Sequence, residues 1–180
     1  MPSVPLVVLA ALALGTLVAG PAPHTPEQAP PPGAGTYAWP VQGEVIRPFD
    51  PPGDPFGSGH RGVDIAAPSG TPVRAAEEGV VAFAGALAGS LYVSIDHPGG
   101  VRTTYSWLSS VVVRRGDRVA RLQVLGATGP GHPGDPGPAH LHLGARVAEA
   151  YVDPLLLLEP RHVAGMIHLA PLDGEGGPGL

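Results

Sequence analysis

The chain has 180 residues, 43% of them apolar, which allows one domain with a hydrophobic core and argues against two. Its net charge is −5 and all ten basic residues are arginine, so it lacks the basic surface typical of nucleic-acid-binding proteins. Cysteine is absent, which excludes disulfides, thiolate catalysis and cysteine-ligated zinc. Any metal site must therefore use histidine, aspartate or glutamate.

The N-terminal part of the chain has the composition of a targeting segment and a spacer. Residues 1–22 are nearly all apolar, and small residues cluster at the end of the run, which predicts a signal peptide or a retained membrane anchor. Residues 23–36 are rich in proline and are expected to form an extended or disordered linker. We therefore predict a secreted or cell-envelope protein that meets the membrane only through its N-terminal segment.

Short apolar runs separated by turn residues continue from residue 37 to about residue 160, which is the predicted domain. Regularly spaced runs of this kind are typical of an antiparallel all-β sheet or sandwich. A single turn is predicted near 155–158, and residues 161–180 are expected to add a strand at 163–169 and a flexible tail. The predicted strands of the domain are 44–49, 63–66, 72–76, 79–84, 91–96, 101–108, 117–125 and 140–147.

Two short motifs carry side chains that could bind a metal: His60 with Asp64, and His140 with His142. Residues two apart on a strand point to the same face, about 7 Å apart, so both histidines of the second motif can enter one cleft. Three protein ligands leave a fourth zinc position for water, as in hydrolytic sites. His97 lies in a His-Pro-Gly-Gly turn and is expected to be structural or solvated. We therefore predict that three of the four side chains in the two motifs bind Zn²⁺ and that the fourth acts in proton transfer.

The ordered series of motifs between residues 39 and 158 resembles the lysostaphin/LytM-type zinc metalloendopeptidases, which cut peptide cross-links in bacterial peptidoglycan. The resemblance implies an antiparallel sheet or sandwich of the duplicated hybrid motif type, with long loops around a metal cleft. The motifs that carry it include His60 to Asp64, Ala-Pro-Ser-Gly-Thr-Pro-Val at 67–73, Thr103-Thr104-Tyr105, Pro138 to His142 and Val152-Asp153-Pro154.

The same resemblance assigns roles to individual residues. It implies that His60, Asp64 and His142 are the zinc ligands and that His140 acts in proton transfer and transition-state stabilisation. It also implies that stem peptides of peptidoglycan are the partners. Tyr105 and Arg102 are expected to line the substrate cleft.

Trp107 is the main departure from the family pattern. The family has Tyr-x-His-Leu with a second catalytic histidine, whereas this chain has Trp107 at that position, and an indole can only donate through its N–H. Three hypotheses follow. The protein is an active peptidase that relies on zinc and His140; or it is a zinc-binding but catalytically impaired module that binds peptidoglycan or regulates a cell-wall amidase; or His132, from the 129–138 loop, supplies the missing imidazole. Intact metal ligands favour the first hypothesis over the second.

Two stretches, 70–81 and 113–126, also look like parts of biotinyl/lipoyl carrier domains and of a sugar-phosphotransferase domain with an active-site histidine. Carriers need a modifiable lysine on a hairpin tip, and the chain has no lysine. A phosphotransfer domain works in the cytoplasm, which conflicts with the apolar N-terminus. Stoichiometric zinc in the purified protein would favour the hydrolase hypothesis over both the carrier and the phosphotransfer hypotheses.

Overall fold

The computed structural model describes residues 29–54, 57–134 and 136–161. The predicted signal peptide or anchor at 1–22, the first part of the linker and the predicted strand and tail beyond residue 161 lie outside these ranges. Among the described residues, no helix has both the length and the apolar character needed to cross a bilayer.

The described residues form ten strands and two short 3₁₀ turns, at Pro98–Gly100 and Pro154–Leu156. Every pair formed by these strands is antiparallel, which confirms the predicted all-β antiparallel class. The strands are β1 (Val45–Arg47), β2 (Val63–Ala66), β3 (Pro72–Arg74), β4 (Gly79–Leu87), β5 (Ser90–Asp96), β6 (Val101–Val111), β7 (Arg118–Val119), β8 (Val124–Thr128), β9 (His140–Val147) and β10 (Ala150–Tyr151).

The long central strand β6 connects the parts of the sheet. The strand order is β1-β2-β9-β6-β5-β4-β7, and β10 is attached to β9. The first part of β6 pairs with β5 and β9, whereas its last part, from Leu108 to Val111, pairs with β8, which in turn pairs with β3. Strand β6 therefore places β9, which carries the two predicted site histidines, beside the middle of the sheet.

The core is built from alternating apolar residues of the central strands, and they fix which face of each strand points outward. On β6, Val101, Thr103 and Tyr105 are buried, whereas Arg102 and Thr104 between them are partly exposed. Since successive strand residues point to opposite faces, the second set faces away from the core. The largest buried aliphatic side chains are Ile65, Ile95, Leu125, Leu141, Leu143 and Leu157.

The strand predicted at 117–125 is wrong, because this segment forms two strands, β7 and β8, with a turn between them. The Ala120 N–H donates to the side chain of Gln123, the Gln123 N–H donates back to the Ala120 carbonyl, and Leu122 adopts a φ of 68°. Strand β7 pairs with β4, whereas β8 pairs with β3 and β6. The turn allows one apolar segment to reach two different parts of the sheet, which its composition does not predict.

Residues 29–36, the described part of the linker predicted to be extended or disordered, form a turn against the C-terminal 3₁₀ segment. Gly33 and Gly35 have φ of 74° and 73°, a region that glycine enters without a steric penalty. The N–H groups of Gly35 and Tyr37 donate to the carbonyls of Leu156 and Leu157. These bonds account for the turn, because they give the segment hydrogen-bond partners that an isolated linker would lack.

His97 is buried in a chain of polar contacts at the end of β5. Its Nδ1–H donates to the Glu78 carbonyl at 2.7 Å, and its Nε2 lies 2.7 Å from the Thr103 hydroxyl. That hydroxyl lies 3.1 Å from the Tyr105 hydroxyl, which accepts the N–H of Ala76. Burial lowers the pKa of His97, although the Glu78 carbonyl and nearby acidic groups act in the opposite direction. His97 is therefore a structural residue that is neutral in the fold.

We expect the protein to lose stability as the pH falls below the ordinary histidine pKa of 6.5. The lowered pKa means that the unfolded chain binds a proton more readily than the folded one, so this contribution is present above pH 6.5 and disappears as the pH falls through the folded-state pKa. Urea unfolding between about pH 5 and 8 measures the effect. The midpoint of the wild type should fall more steeply with acid than that of His97→Gln, and equal slopes would contradict the prediction.

Candidate metal centre

Asp64 on β2 and His142 on β9 are paired directly across the sheet. Their strand neighbours Ile65, Leu141 and Leu143 are buried in the core. Because side chains alternate along a strand, the same packing turns Asp64 and His142 to the outer face, with their Cβ atoms about 5 Å apart. The apolar pattern of two strands thus brings a carboxylate and an imidazole together across 78 residues of sequence.

His60 reaches the same place from the loop before β2. Its backbone forms both hydrogen bonds of an antiparallel bridge with Asp50, at 2.6 and 2.9 Å. Its Nδ1–H donates to the Pro48 carbonyl at 2.7 Å, which leaves Nε2 as the nitrogen with a free lone pair. The ring is therefore fixed in the tautomer that presents Nε2 to Asp64.

Three potential ligand atoms converge on one point: His60 Nε2, Asp64 Oδ1 and His142 Nδ1. Their separations are 3.1 Å from His60 to Asp64, 3.0 Å from His60 to His142 and 2.8 Å from His142 to Asp64. Ligands at zinc bond lengths of about 2.0–2.1 Å in a tetrahedron are about 3.3–3.4 Å apart, so the observed triangle needs to open by only a few tenths of an ångström. The spacing therefore fits Zn²⁺.

The chemistry of these three atoms also fits a cation. His60 Nε2 and Asp64 Oδ1 are both acceptors, and a single proton on His142 Nδ1 cannot fully serve both. Burial raises the pKa of Asp64, but the hydrogen bond to His142 and the charges of His142, His60 and His140 outweigh it and hold the pKa below its usual value. The group is thus a carboxylate at neutral pH, as metal binding requires.

His140 lies on the same face of β9, next to the three converging side chains, and is almost fully buried. Its Nδ1–H donates to the Pro138 carbonyl at 2.8 Å, so Nε2 carries the lone pair, and this atom lies 4.0 Å from Asp64 Oδ2. Gly131 passes so close that a Cβ there would lie 2.4 Å from the ring. His140 is thus held beside the converging atoms with a basic nitrogen directed toward them.

Trp107 occupies a bulge of β6 at the edge of the site. Tyr92 pairs with Ser106 and Leu91 with Leu108, so Trp107 has no partner on β5, and its φ is 60°. Its ring centroid lies 4.9 Å from that of His142, 5.5 Å from that of His140 and 4.9 Å from that of His132. The indole therefore contacts the imidazoles at the position where the resemblance expects a second catalytic histidine.

His132 is also near the site. Its backbone N–H donates to His140 Nε2 at 3.4 Å, and its Nδ1–H donates to the Pro133 carbonyl at 2.9 Å. The structure thus brings the residue of the third hypothesis into contact with both Trp107 and His140.

The two predicted cleft residues lie in different places. Tyr105 does not line the cleft, because its side chain is fully buried and its hydroxyl bonds to Ala76 and Thr103 inside the core. Burial raises the pKa of this tyrosine to about 12. Arg102 lies on the outer face, paired in register with Arg146 of β9 and joined to Asp96 by an ion pair. It is four residues from Ser106, the partner of His142, or about 13 Å along the strand.

The profile of peptidase family M23 matches residues 58–154, a range that contains His60, Asp64, His140 and His142. The chain belongs to peptidase family M23. This result confirms the resemblance to the LytM-type enzymes.

Three similar proteins illustrate the relationship. Uncharacterized protein Rv2891 of Mycobacterium tuberculosis is 44% identical over 144 residues, covering 77% of this chain and 56% of that protein. DD-carboxypeptidase/endopeptidase Mpg of Neisseria meningitidis is 39% identical over 102 residues, 56% of this chain and 23% of Mpg. A zinc containing peptidase from Vibrio cholerae has a similar structure, with a TM-score of 0.57 and 27% identity over 69% of this chain and 40% of that one. The chain therefore spans about half of its mycobacterial relative.

If His60, Asp64 and His142 bind zinc, each is needed for tight binding. We expect His60→Ala and Asp64→Ala to bind Zn²⁺ more than about 100-fold less tightly than the wild type, since losing even an outer-shell partner costs about 10–100-fold. His132→Ala is the matched control, because this nearby histidine is not one of the three converging side chains. Zinc content after dialysis against a chelator gives the comparison. Full zinc retention in both ligand variants would refute the assignment.

Proposed function

We propose that this protein is an exported zinc-dependent metalloendopeptidase that hydrolyses peptide cross-links of bacterial peptidoglycan. The observation that carries the proposal is the convergence of two imidazoles and one carboxylate beside the unprotonated Nε2 of His140, in a chain of peptidase family M23. Mpg is named a DD-carboxypeptidase/endopeptidase, and the similar Vibrio structure is a zinc containing peptidase. The apolar sequence of residues 1–22 supports a place of action outside the cytoplasmic membrane.

In this proposal, different residues bind the metal and transfer protons. His60, Asp64 and His142 would hold Zn²⁺, which when bound lowers the pKa of water toward about 7 and polarises the scissile carbonyl. His140 accepts the proton of the attacking water at Nε2 and returns it to the leaving amine. Pro138 supports this role, because its carbonyl holds the His140 proton on Nδ1 and leaves Nε2 unprotonated. Such a positioned base contributes about 10²–10⁴-fold to the rate.

Trp107 limits the proton chemistry without removing the metal ligands. Its N–H can stabilise a developing negative charge by donation, but the indole has no basic nitrogen to accept a proton. The ring packs against His140 and His142 from the β6 side. In the proposed enzyme, His140 is therefore the general base and Trp107 is part of the wall.

The alternative is a zinc-binding, catalytically impaired module that binds peptidoglycan or regulates a cell-wall amidase. The observation that favours it is Trp107, which replaces one of the two histidines that the family uses. Both functions retain the metal ligands, so they differ in whether the protein hydrolyses peptide bonds.

Digestion of purified peptidoglycan separates these functions. Zinc-loaded wild-type protein should release peptide fragments that mass spectrometry identifies, and zinc-loaded His140→Ala should do so about 10²–10⁴-fold more slowly, because it lacks the general base. Zinc content is measured in both proteins to show that the loss is not a loss of metal. If both are equally inert, the enzyme proposal fails and the impaired module is supported.

A second imidazole at position 107 should increase turnover. The left-handed backbone at this position suits histidine better than a bulky residue, so we expect Trp107→His to fold and to digest peptidoglycan at least about tenfold faster.

His132→Ala tests whether that imidazole is already supplied by the 129–138 loop. Loss of turnover in His132→Ala that is restored in Trp107→His/His132→Ala would assign this role to His132. Unchanged turnover in His132→Ala would leave His140 as the general base of the wild type.

A further inference from the structure

Gly62 lies between the two candidate ligands His60 and Asp64 in the sequence and contacts the third candidate ligand, His142. It is buried and directly precedes β2. A Cβ at this position would overlap the Leu143 carbonyl oxygen and would lie 2.7 Å from both Cε1 and Nε2 of the His142 ring. Real Cβ atoms essentially never come so close to other heavy atoms, so a larger residue would displace the backbone or the imidazole.

This crowding, and not the backbone conformation, accounts for glycine at position 62. Gly62 is not one of the glycines with a positive φ, so its backbone conformation does not require glycine. Glycine is also used where a backbone must approach another group closely, and the approach to Leu143 and His142 is of this kind. Gly62 therefore leaves open the space that the His142 imidazole occupies.

His142 differs from His60 and His140 in how its ring is held. The Nδ1–H group of His60 donates to the Pro48 carbonyl. The Nδ1–H group of His140 donates to the Pro138 carbonyl, so a backbone acceptor fixes each of these two rings. Within the described part of the chain, the hydrogen bonds of the His142 ring are made through Nδ1, and none is made through Nε2. Metal-binding histidines are usually oriented by a partner on the second nitrogen, so packing must orient this ring instead.

His60, Trp107 and Gly62 contact the ring of His142. The ring centroid lies 4.8 Å from that of His60 and 4.9 Å from that of Trp107, and the Cε1–Nε2 edge meets the backbone of Gly62. Cε1 and Nε2 form the far end of the ring, so a contact there restricts rotation about the side-chain bonds. Because Nδ1 is bonded to Cε1, the contact with Gly62 also restricts the position of the ligand atom.

An alanine side chain at position 62 would shift this ring, or the backbone beside it, by more than a metal site tolerates. To reach ordinary contact at 3.4 Å from the 2.7 Å of an added Cβ, the groups must move apart by about 0.7 Å. Functional side chains must be held within about 0.5 Å of their productive geometry. The three ligand atoms are 2.8–3.1 Å apart, so such a shift at His142 Nδ1 would distort their triangle.

We propose that Gly62 is a positioning residue of the metal centre. Its lack of a side chain lets the loop backbone close on the His142 ring and hold Nδ1 at the ligand position. The inference rests on the zinc binding of the proposed function and extends it to a residue that offers no ligand atom. The segment from His60 to Asp64 thus supplies two ligands and, through Gly62, orients the third.

The zinc affinity of Gly62→Ala tests the proposal, with Gly79→Ala as the matched control. A Cβ at Gly79 would also overlap a strand carbonyl oxygen, that of Asp96, and would lie 2.7 Å from Cγ2 of Ile95, a core side chain, instead of an imidazole. Gly62→Ala should bind Zn²⁺ about 10–100-fold less tightly than the wild type, the loss typical of an outer-shell partner, and Gly79→Ala should bind as the wild type does. Competition with a chromogenic chelator measures these affinities. Wild-type affinity in Gly62→Ala, or an equal loss in Gly79→Ala, would overturn the proposal.

Urea unfolding of the metal-free protein measures the contact itself, including the case in which Gly62→Ala alone does not fold. His142→Ala lacks the imidazole but keeps the Leu143 carbonyl. Gly62→Ala should therefore lower the urea midpoint less in the His142→Ala background than in the wild type, because the effects of contacting residues are not additive. An equal decrease in both backgrounds, or failure to fold in both, would overturn the positioning role.

These measurements separate the inference from the proposed function. If the wild type binds zinc and Gly62→Ala binds it equally well, the inference fails and the metal centre remains. If the wild type binds no zinc, the zinc-dependent function fails, and the urea midpoints still decide whether Gly62 positions the His142 ring.

Discussion

The site depends above all on the register of β2 against β9. Asp64 is opposite His142 only because Ile65, Leu141 and Leu143 are packed into the core on the other face. A slip of one residue would turn the apolar side chains outward and the site side chains inward. The packing of the core therefore also favours the register that forms the site. Stability and the candidate chemistry are therefore coupled through one strand pair.

This register buries a carboxylate beside other acceptor atoms, an arrangement that a bound cation would stabilise. Asp64 and His60 are only 3% and 5% exposed, and the carboxylate lies beside the lone pair of His60 Nε2 with His142 Nδ1–H as a shared donor. Burial of a carboxylate is costly unless opposite charge or donors surround it. Protonated imidazole can supply this in the free protein, and Zn²⁺ would supply it for all three atoms together. The arrangement is thus easier to explain as a metal centre than as a structural ion pair.

The groups around this centre have separable tasks. His140 is held by Pro138 with an unprotonated Nε2, whereas Trp107 has an apolar ring and one donor. Arg61 and Arg146 line a pocket that also includes His142. In the proposed enzyme, metal binding and proton transfer would therefore rest on different side chains, and a substitution at one need not remove the other.

The sequence by itself determined the antiparallel all-β class, the strands at 63–66 and 140–147, and the set of residue types able to bind a metal, because these follow from local alternation and chemistry. Only the tertiary structure decided what depends on strand partners. It divided 117–125 between two parts of the sheet. It also buried Tyr105 and left Arg102 on the outer face, because residues three apart on a strand point to opposite faces. It also placed Arg61 and Arg146, which are 85 positions apart in the chain, in the lining of one pocket, because pairing between distant strands sets which side chains lie together.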